Sequence, residues 1–234
     1  MTDIKIYGAI IPDDDMPFYE WAGFEATSPG SVTQALNDAG GDDVVVYINS
    51  PGGDVVSASV IYDALMSYEG KVTIKITGLA ASAASVVAMS GYCVMAPTAL
   101  IMIHNPWTEV RGNSKELQKA AEDLEVVARS ICNAYTLKTG MTEDEIREIM
   151  DNETWLDAKT AKMYNFVDNV AYCTCEDDAA QTPAAATYTP GLLTPEARAR
   201  ILKAMQQGTP GKEKEKEPEG TRQQTELNLL KLRQ

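Results

Sequence analysis

The chain has 234 residues, is 44% hydrophobic and carries a formal net charge of −14 at pH 7. That is enough length and apolar content for one medium domain with a full core plus additional material. The charge argues against nucleic acid as the main ligand, because phosphates would be repelled. No apolar run approaches the roughly 20 residues that span a bilayer, and the first residues lack the basic-then-apolar pattern of a signal peptide. A cytoplasmic protein that meets neither nucleic acid nor membrane is therefore expected.

In chain order, Ile4 to Ile11 reads as a first strand. Val32, Ala35, Leu36 and Ala39 follow at helical spacing. Val44 to Tyr47 and Ile48 form a continuous apolar run that fits a buried strand. The turn Ser50-Pro51-Gly52-Gly53 ends it. Val60, Ile61, Ala64 and Leu65 make a second helical stripe. Val72, Ile74 and Ile76 alternate with polar residues as a strand, which Gly78 is expected to break before a small-residue helix within Thr77 to Ser90. Cys93 to Met95 and Leu100 to Ile103 are two further short strands. A long helix runs from about Ser114 to Lys138 and stops at Gly140. Thr142 and Glu145 then offer a capping box for another helix. Strands alternating with helices imply an α/β fold with a largely parallel sheet.

Composition changes near residue 175, dividing the chain into a domain over 1–175 and a tail over 176–234. The tail opens with Glu176-Asp177-Asp178. It includes a short helix candidate, Thr194 to Gln207, with Thr194 as cap and Pro195 at the first position. It continues through the mixed-charge run Lys212 to Pro218, which is expected to be disordered, and ends in the leucine-rich stretch Leu227 to Leu232. Of the four cysteines, Cys173 and Cys175 are spaced Cys-x-Cys, not a usual zinc spacing. With one histidine in the chain, a mixed Cys/His zinc site is not expected. Cys93, Cys132, Cys173 and Cys175 read as reduced thiols.

Three segments bear on chemistry. In Ile48-Asn49-Ser50-Pro51-Gly52-Gly53, the glycines permit positive φ and close approach, and backbone N–H groups of such a turn can face an anionic oxygen. In Gly78 to Ser85, a serine at the start of a helix lies at the positive end of the macrodipole. The next N–H has no intrahelical partner, which is the geometry of a nucleophile with one oxyanion donor. Ser82 is better placed for this than Ser85 or Ser90, which fit a small-residue helix packing against a neighbour. The third segment is Met102-Ile103-His104-Asn105-Pro106, whose His104 is the sole histidine and so the sole imidazole base. Alone it would read as structural; the three segments in this order favour Ser–His chemistry. Asp151, Glu153, Asp157 and Asp168 are the acids that could orient the imidazole, and the residues by themselves do not choose among them.

Together these runs resemble the Clp protease proteolytic subunit family, ClpP. The later runs Trp155-Leu156-Asp157-Ala158 and Tyr164-Asn165-Phe166-Val167-Asp168 extend the likeness, which covers roughly residues 4 to 171. The resemblance implies a ClpP/crotonase-like fold of repeated β-β-α units with a protruding long-helix handle. It implies a serine endopeptidase with Ser82 as nucleophile, His104 as base and Glu153 as acid. Gly53 and Ala83 would supply the oxyanion N–H groups. No metal or cofactor is implied. The partners it implies are a protein or peptide substrate, further copies in a homo-oligomeric ring, and a capsid or scaffold protein or an AAA+ ATPase. Glu replaces the family's usual Asp at 153, and Asn165 replaces a Gly whose left-handed conformation Asn tolerates. With so short a segment before the first strand, the resemblance leads to the expectation that little of the family's pore-lining N-terminus is present. The Glu, the neighbouring Trp155 and the charged tail look more like the ClpP-related head-maturation proteases of tailed phages.

Three rivals remain at this level. A crotonase-type acyl-CoA enzyme would use oxyanion N–H groups without Ser82 or His104. A Ser–Lys peptidase would draw on Lys71 or Lys75. A degenerate ClpP fold could serve as a scaffold or assembly protein.

Overall fold

The structure, a computed structural model, describes residues 2–172. The expected tail, with its helix candidate, its charged run, its leucine-rich end and Cys173 and Cys175, lies outside the described residues.

The chain runs β1 (Thr2–Ile10), α1 (Met16–Ala22), β2 (Ala26–Thr27), α2 (Pro29–Ala39), β3 (Val44–Gly53), α3 (Val55–Met66), β4 (Val72–Ala81), α4 (Ala83–Ala88), β5 (Tyr92–Met95) and β6 (Leu100–Ile103). It continues as α5 (Ser114–Thr139), α6 (Glu143–Asp151), β7 (Thr154–Asp157), α7 (Ala158–Met163) and β8 (Asn169–Val170). The strands form one sheet in the order β2-β1-β3-β4-β5-β8, and β6 pairs with both β4 and β7. Every described pairing is parallel except β6 with β7. Connections between parallel neighbours must cross over, and helices do this here, as the alternating sequence pattern implied.

The core lies between sheet and helices. Ile4, Ile6, Val46, Ile48, Ile74 and Ile76 point from the central strands toward Val32, Leu36, Ile61 and Leu65 of α2 and α3. Full burial of such a side chain contributes about 1.5–3 kcal/mol, so this layer dominates the fold's stability. The long helix divides in two. Residues 114–127 of α5 contain none that is buried, whereas Ala128, Ile131, Cys132, Ala134, Tyr135 and Thr139 are buried against the rest of the domain. Lys138 anchors that inner end by donating to Gly91 O at 2.9 Å and pairing with Asp168. The Asp168 carboxylate also accepts from Cys93 N–H at 2.6 Å, which ties α5 to β5 and the start of β8. Asn113 and Glu116 form a capping box at the outer end, and Gly140 closes the helix at φ 76°.

Two local expectations change. Gly78 does not end its strand: β4 continues to Ala81 because it changes partner, pairing with β5 through Thr73–Ile76 and with β6 through Leu79–Ala81. A Cβ at Gly78 would stand 2.5 Å from Asn49 Oδ1, so glycine here admits the Asn49 side chain. Likewise Ser50 to Gly53 is the irregular end of β3 and not a free turn, with a register shift against β4 between Ile48 and Ser50. Helix α1, strand β2, helix α7 and strand β8 are short, and too few apolar repeats mark them in the sequence. The capping box of Thr142 and Glu145 is present, and Asn165 is left-handed at φ 60°.

Candidate active site

Ser82 is the single residue between β4 and α4. Its φ of 52° and ψ of −128° place a non-glycine residue in a sparsely populated region. Hydrogen bonds hold it there. Ser82 N–H donates to Met102 O at 2.9 Å, and Ser82 O accepts from Ser85 N–H at 2.9 Å and from Ser85 Oγ–H at 2.6 Å. A sharp strand-to-helix turn of this kind lifts a serine side chain clear of the sheet. Ala83 follows as the first residue of α4, where a helix leaves its N–H without an intrahelical partner.

Register then delivers the histidine. In the parallel pair β4·β6, Leu79 matches Leu100, Ala80 matches Ile101 and Ala81 matches Met102. The two strands therefore leave the sheet side by side, one through Ser82 and the other through His104. Ser82 Oγ and His104 Nε2 are 2.8 Å apart. His104 is half-buried, and burial pushes its pKa below the ordinary value of 6.5; the negative charge of Glu153 pulls it part of the way back. The net shift favours the neutral imidazole, the form that can accept a proton.

The next pairing brings a carboxylate near the histidine. β6 and β7 are antiparallel, with Ile103 opposite Thr154 and Met102 opposite Trp155. His104 follows the last paired residue of β6 and Glu153 precedes the first of β7, so both stand at the same end of this ladder. The other three candidate acids are engaged elsewhere. Asp151 accepts from Asn105 Nδ2 at 2.7 Å, Asp157 caps α7 by accepting from Thr160 N–H at 2.8 Å, and Asp168 serves Lys138 and Cys93. Glu153 is exposed and has a φ of 45°, so it too is left-handed. Among the described residues no hydrogen bond joins it to His104; its carboxylate acts on the ring through its charge.

The glycine pair lies beside the serine. A Cβ on Gly52, at φ 92°, would stand 2.8 Å from both Ser82 Cβ and Ala83 N, so only glycine lets β3 come this close to the start of α4. Gly53, at φ 148°, is pressed against the Ile10 carbonyl of β1. Ser50, which sequence reading did not single out, fixes this segment. Its hydroxyl donates to Gly8 O at 2.6 Å and accepts Gly52 N–H at 3.0 Å. Beneath the site Trp155, 8% exposed, packs with Ala81 and Met102, one residue from each of the three strands that carry Ser82, His104 and Glu153. The hold of Ser50 on this segment has no sequence signal distinct from ordinary burial.

Lys75, a rival partner for a serine, lies over the Tyr47 ring at 5.4 Å, on a part of β4 that pairs with β5 and away from Ser82. Cys93 is buried, with its thiol pushed up to about 12, and Cys132 is raised as well; both are free thiols in which burial disfavours the thiolate. Among the described residues no cluster of three or more His, Cys, Asp or Glu is placed to hold a metal ion, and no helix is long and apolar enough to cross a membrane.

A family model, Clp protease, matches residues 33–173, and the chain belongs to that family. Among curated proteins, an ATP-dependent Clp protease proteolytic subunit from Chlorella vulgaris is 33% identical over 129 residues, covering 54% of this chain and 64% of that protein. Those from Pleurastrum terricola and Oltmannsiellopsis viridis are 36% and 35% identical, covering 66% and 68% of their lengths. The chain thus spans about two thirds of the length of these relatives. Among solved structures, a ClpP1 variant from Listeria monocytogenes superposes with a TM-score of 0.60 at 21% identity, covering 74% of this chain and 92% of that one. The fold is therefore the mixed α/β, ClpP-like fold that the sequence resemblance implied.

Proposed function

We propose that this protein is a serine endopeptidase that cleaves peptide bonds by acyl transfer to Ser82. The observation that carries the proposal is the 2.8 Å approach of Ser82 Oγ to His104 Nε2 across a strained strand-to-helix turn. In this reading His104 takes the Ser82 proton as Oγ attacks the substrate carbonyl, then donates it to the leaving amine. Water attacks the acyl-enzyme by the same route in reverse. Glu153 stabilises the imidazolium that forms in each step. The oxyanion is received by the N–H groups of Ala83 and Gly53. Asp54 N–H donates to Ile10 O at 2.8 Å, and strand alternation turns the preceding amide, that of Gly53, away from β1, which supports this role. Each such donor is typically worth about 3–4 kcal/mol in the transition state.

The crotonase-type alternative gains nothing from a bonded Ser–His pair, and the Ser–Lys alternative lacks a lysine at the serine. A fluorophosphonate probe tests the proposal. Covalent labelling at Ser82 that vanishes in Ser82→Ala and slows strongly in His104→Ala is expected. A wild-type oligomer that takes up no probe would leave a scaffold role as the better reading.

The finer assignment is a head-maturation protease of the phage type, acting in the host cytoplasm or the prohead as a homo-oligomeric ring. It is supported by Glu153 at the acid position, the adjacent Trp155 and the change in composition beyond residue 175. The unburied outer half of α5, which exposes Leu117 and Val126, is the surface we assign to contacts between copies. Residues 176–234 form the second segment in this reading, with Leu227 to Leu232 binding a capsid or scaffold protein. Truncation after 176 should then leave peptidase activity intact and abolish co-assembly with that partner. An AAA+ ATPase is the alternative partner, and a need for ATP hydrolysis in cleavage of a folded substrate would select it.

A further inference from the structure

The Ser82–Ala83 peptide is held from outside its own turn. Ser85 Oγ lies 2.6 Å from Ser82 O and 2.7 Å from Tyr135 Oη. Ser85 is 0% exposed and Tyr135 is 1% exposed. A serine hydroxyl has one proton. If it donates to the Ser82 carbonyl, the Tyr135 O–H must donate to Ser85 Oγ. The directions are therefore set: Tyr135 O–H to Ser85 Oγ, and Ser85 Oγ–H to Ser82 O. Successive bonds pointing the same way polarise one another, most of all where water is excluded. Burial pushes the Tyr135 phenol pKa upward, so it stays a donor across the working pH range. Tyr135 comes from the inner half of α5 and is itself packed against Phe166, with ring centroids 5.9 Å apart.

We infer that Tyr135 and Ser85 form a positioning relay that aims the Ala83 N–H at the oxyanion. The physical link is the planarity of the peptide bond. The Ser82 carbonyl and the Ala83 N–H belong to one rigid plane and point in opposite directions. Fixing the carbonyl fixes the donor. Ser82 lies at an unfavourable φ and ψ, so this plane has a ready alternative orientation unless its carbonyl is held. The relay supplies that hold from a residue 50 positions away in the chain. The role rests on the serine-peptidase reading, but it concerns residues that touch neither substrate nor imidazole.

The test uses the full-length protein, a fluorophosphonate–rhodamine probe and thermal melting. Ser85→Ala retains the Ser85 N–H bond to Ser82 O, so its effect should be partial. Its maximal labelling rate should fall about tenfold to a hundredfold, with the probe's binding constant unchanged, less than the roughly 10²–10³-fold typical for deleting an oxyanion donor. Tyr135→Phe should lie between it and wild type. The decisive variant is the double mutant Ser85→Ala/Tyr135→Phe. In Ser85→Ala the buried tyrosine hydroxyl loses its partner, which lowers the melting temperature. Removing that hydroxyl should restore part of the melting temperature while labelling stays as slow as in Ser85→Ala. Wild-type labelling rates in Ser85→Ala, or a double mutant whose rate recovers together with its melting temperature, would overturn the relay and leave a structural contact. Wild-type protein unlabelled at Ser82 would overturn the peptidase reading itself, and the relay's catalytic role with it.

Discussion

The two arms of the site are built differently. Ser82 is locked: its N–H reaches β6, its carbonyl takes two bonds from Ser85, and Gly52 closes against it. Glu153 stands on an exposed connection between α6 and β7. Its N–H donates to Met150 O at 3.1 Å, and its carboxylate reaches His104 through charge alone. Both residues have positive φ, 52° and 45°. Ser82 is therefore held on several sides, whereas the Glu153 side chain is exposed and has no hydrogen bond to His104.

Substitutions can break this contrast in graded steps. The largest effect belongs to Ser82 and the histidine bonded to it: Ser82→Ala or His104→Ala should reduce peptide hydrolysis by roughly a million-fold, as when members of a serine triad act as one unit. Steady-state hydrolysis of a casein-derived peptide mixture would check this. Glu153→Gln should cost far less, about 10- to 100-fold, because an exposed carboxylate without a hydrogen bond to the ring contributes mainly Coulomb energy. A loss of about 10⁴-fold, which a buried triad carboxylate can show, would mean that Glu153 closes onto His104 during turnover.

The pH profile probes the same charge. Burial lowers the His104 pKa and Glu153 opposes the shift, so the acid limb of kcat/KM for the free enzyme should have its midpoint below 6.5. In Glu153→Gln the opposing charge is gone, and the midpoint should move further toward acid. The same depression has a stability consequence. The unfolded chain takes up this proton more readily than the folded one. The His104 contribution is therefore complete above the unfolded value of about 6.5 and is lost as pH falls below it. His104→Gln should show a flatter dependence of melting temperature on pH in that window.

The smallest effect should have the opposite sign for stability. Glu153→Gly relieves a left-handed non-glycine conformation and should stabilise the fold by about 0.5–1 kcal/mol, while activity falls as in Glu153→Gln. Urea melts read against hydrolysis rates would show the two moving apart. A destabilised glycine variant would mean that the Glu153 side chain supports the connection as well as the chemistry.

Much of this molecule was legible in the chain itself. The apolar runs at 44–48 and 72–76 and the stripes at 32–39 and 60–65 declared strands and helices because burial on one face imposes a period on the sequence. Small residues before α4, the glycine pair and a single histidine pointed to Ser82 and His104, because few other residue types can meet those steric and chemical demands. The capping boxes and the left-handed Asn165 were local as well. The choice of acid was not local. The residues by themselves left four carboxylates open and the family resemblance pointed to Glu153; the structure adds that Asp151, Asp157 and Asp168 have other partners, while the charge of Glu153 acts on His104. The continuation of β4 past Gly78, the hold of Ser50 on the glycine pair and the bond from Tyr135 to Ser85 were likewise invisible. Each depends on a residue many positions away, and a hydroxyl or a carboxylate carries no periodicity that announces its partner. Sequence pattern thus determined which segments would be buried and which residues could react; tertiary register alone decided which of them meet, because it is register that converts separation along the chain into distance in space.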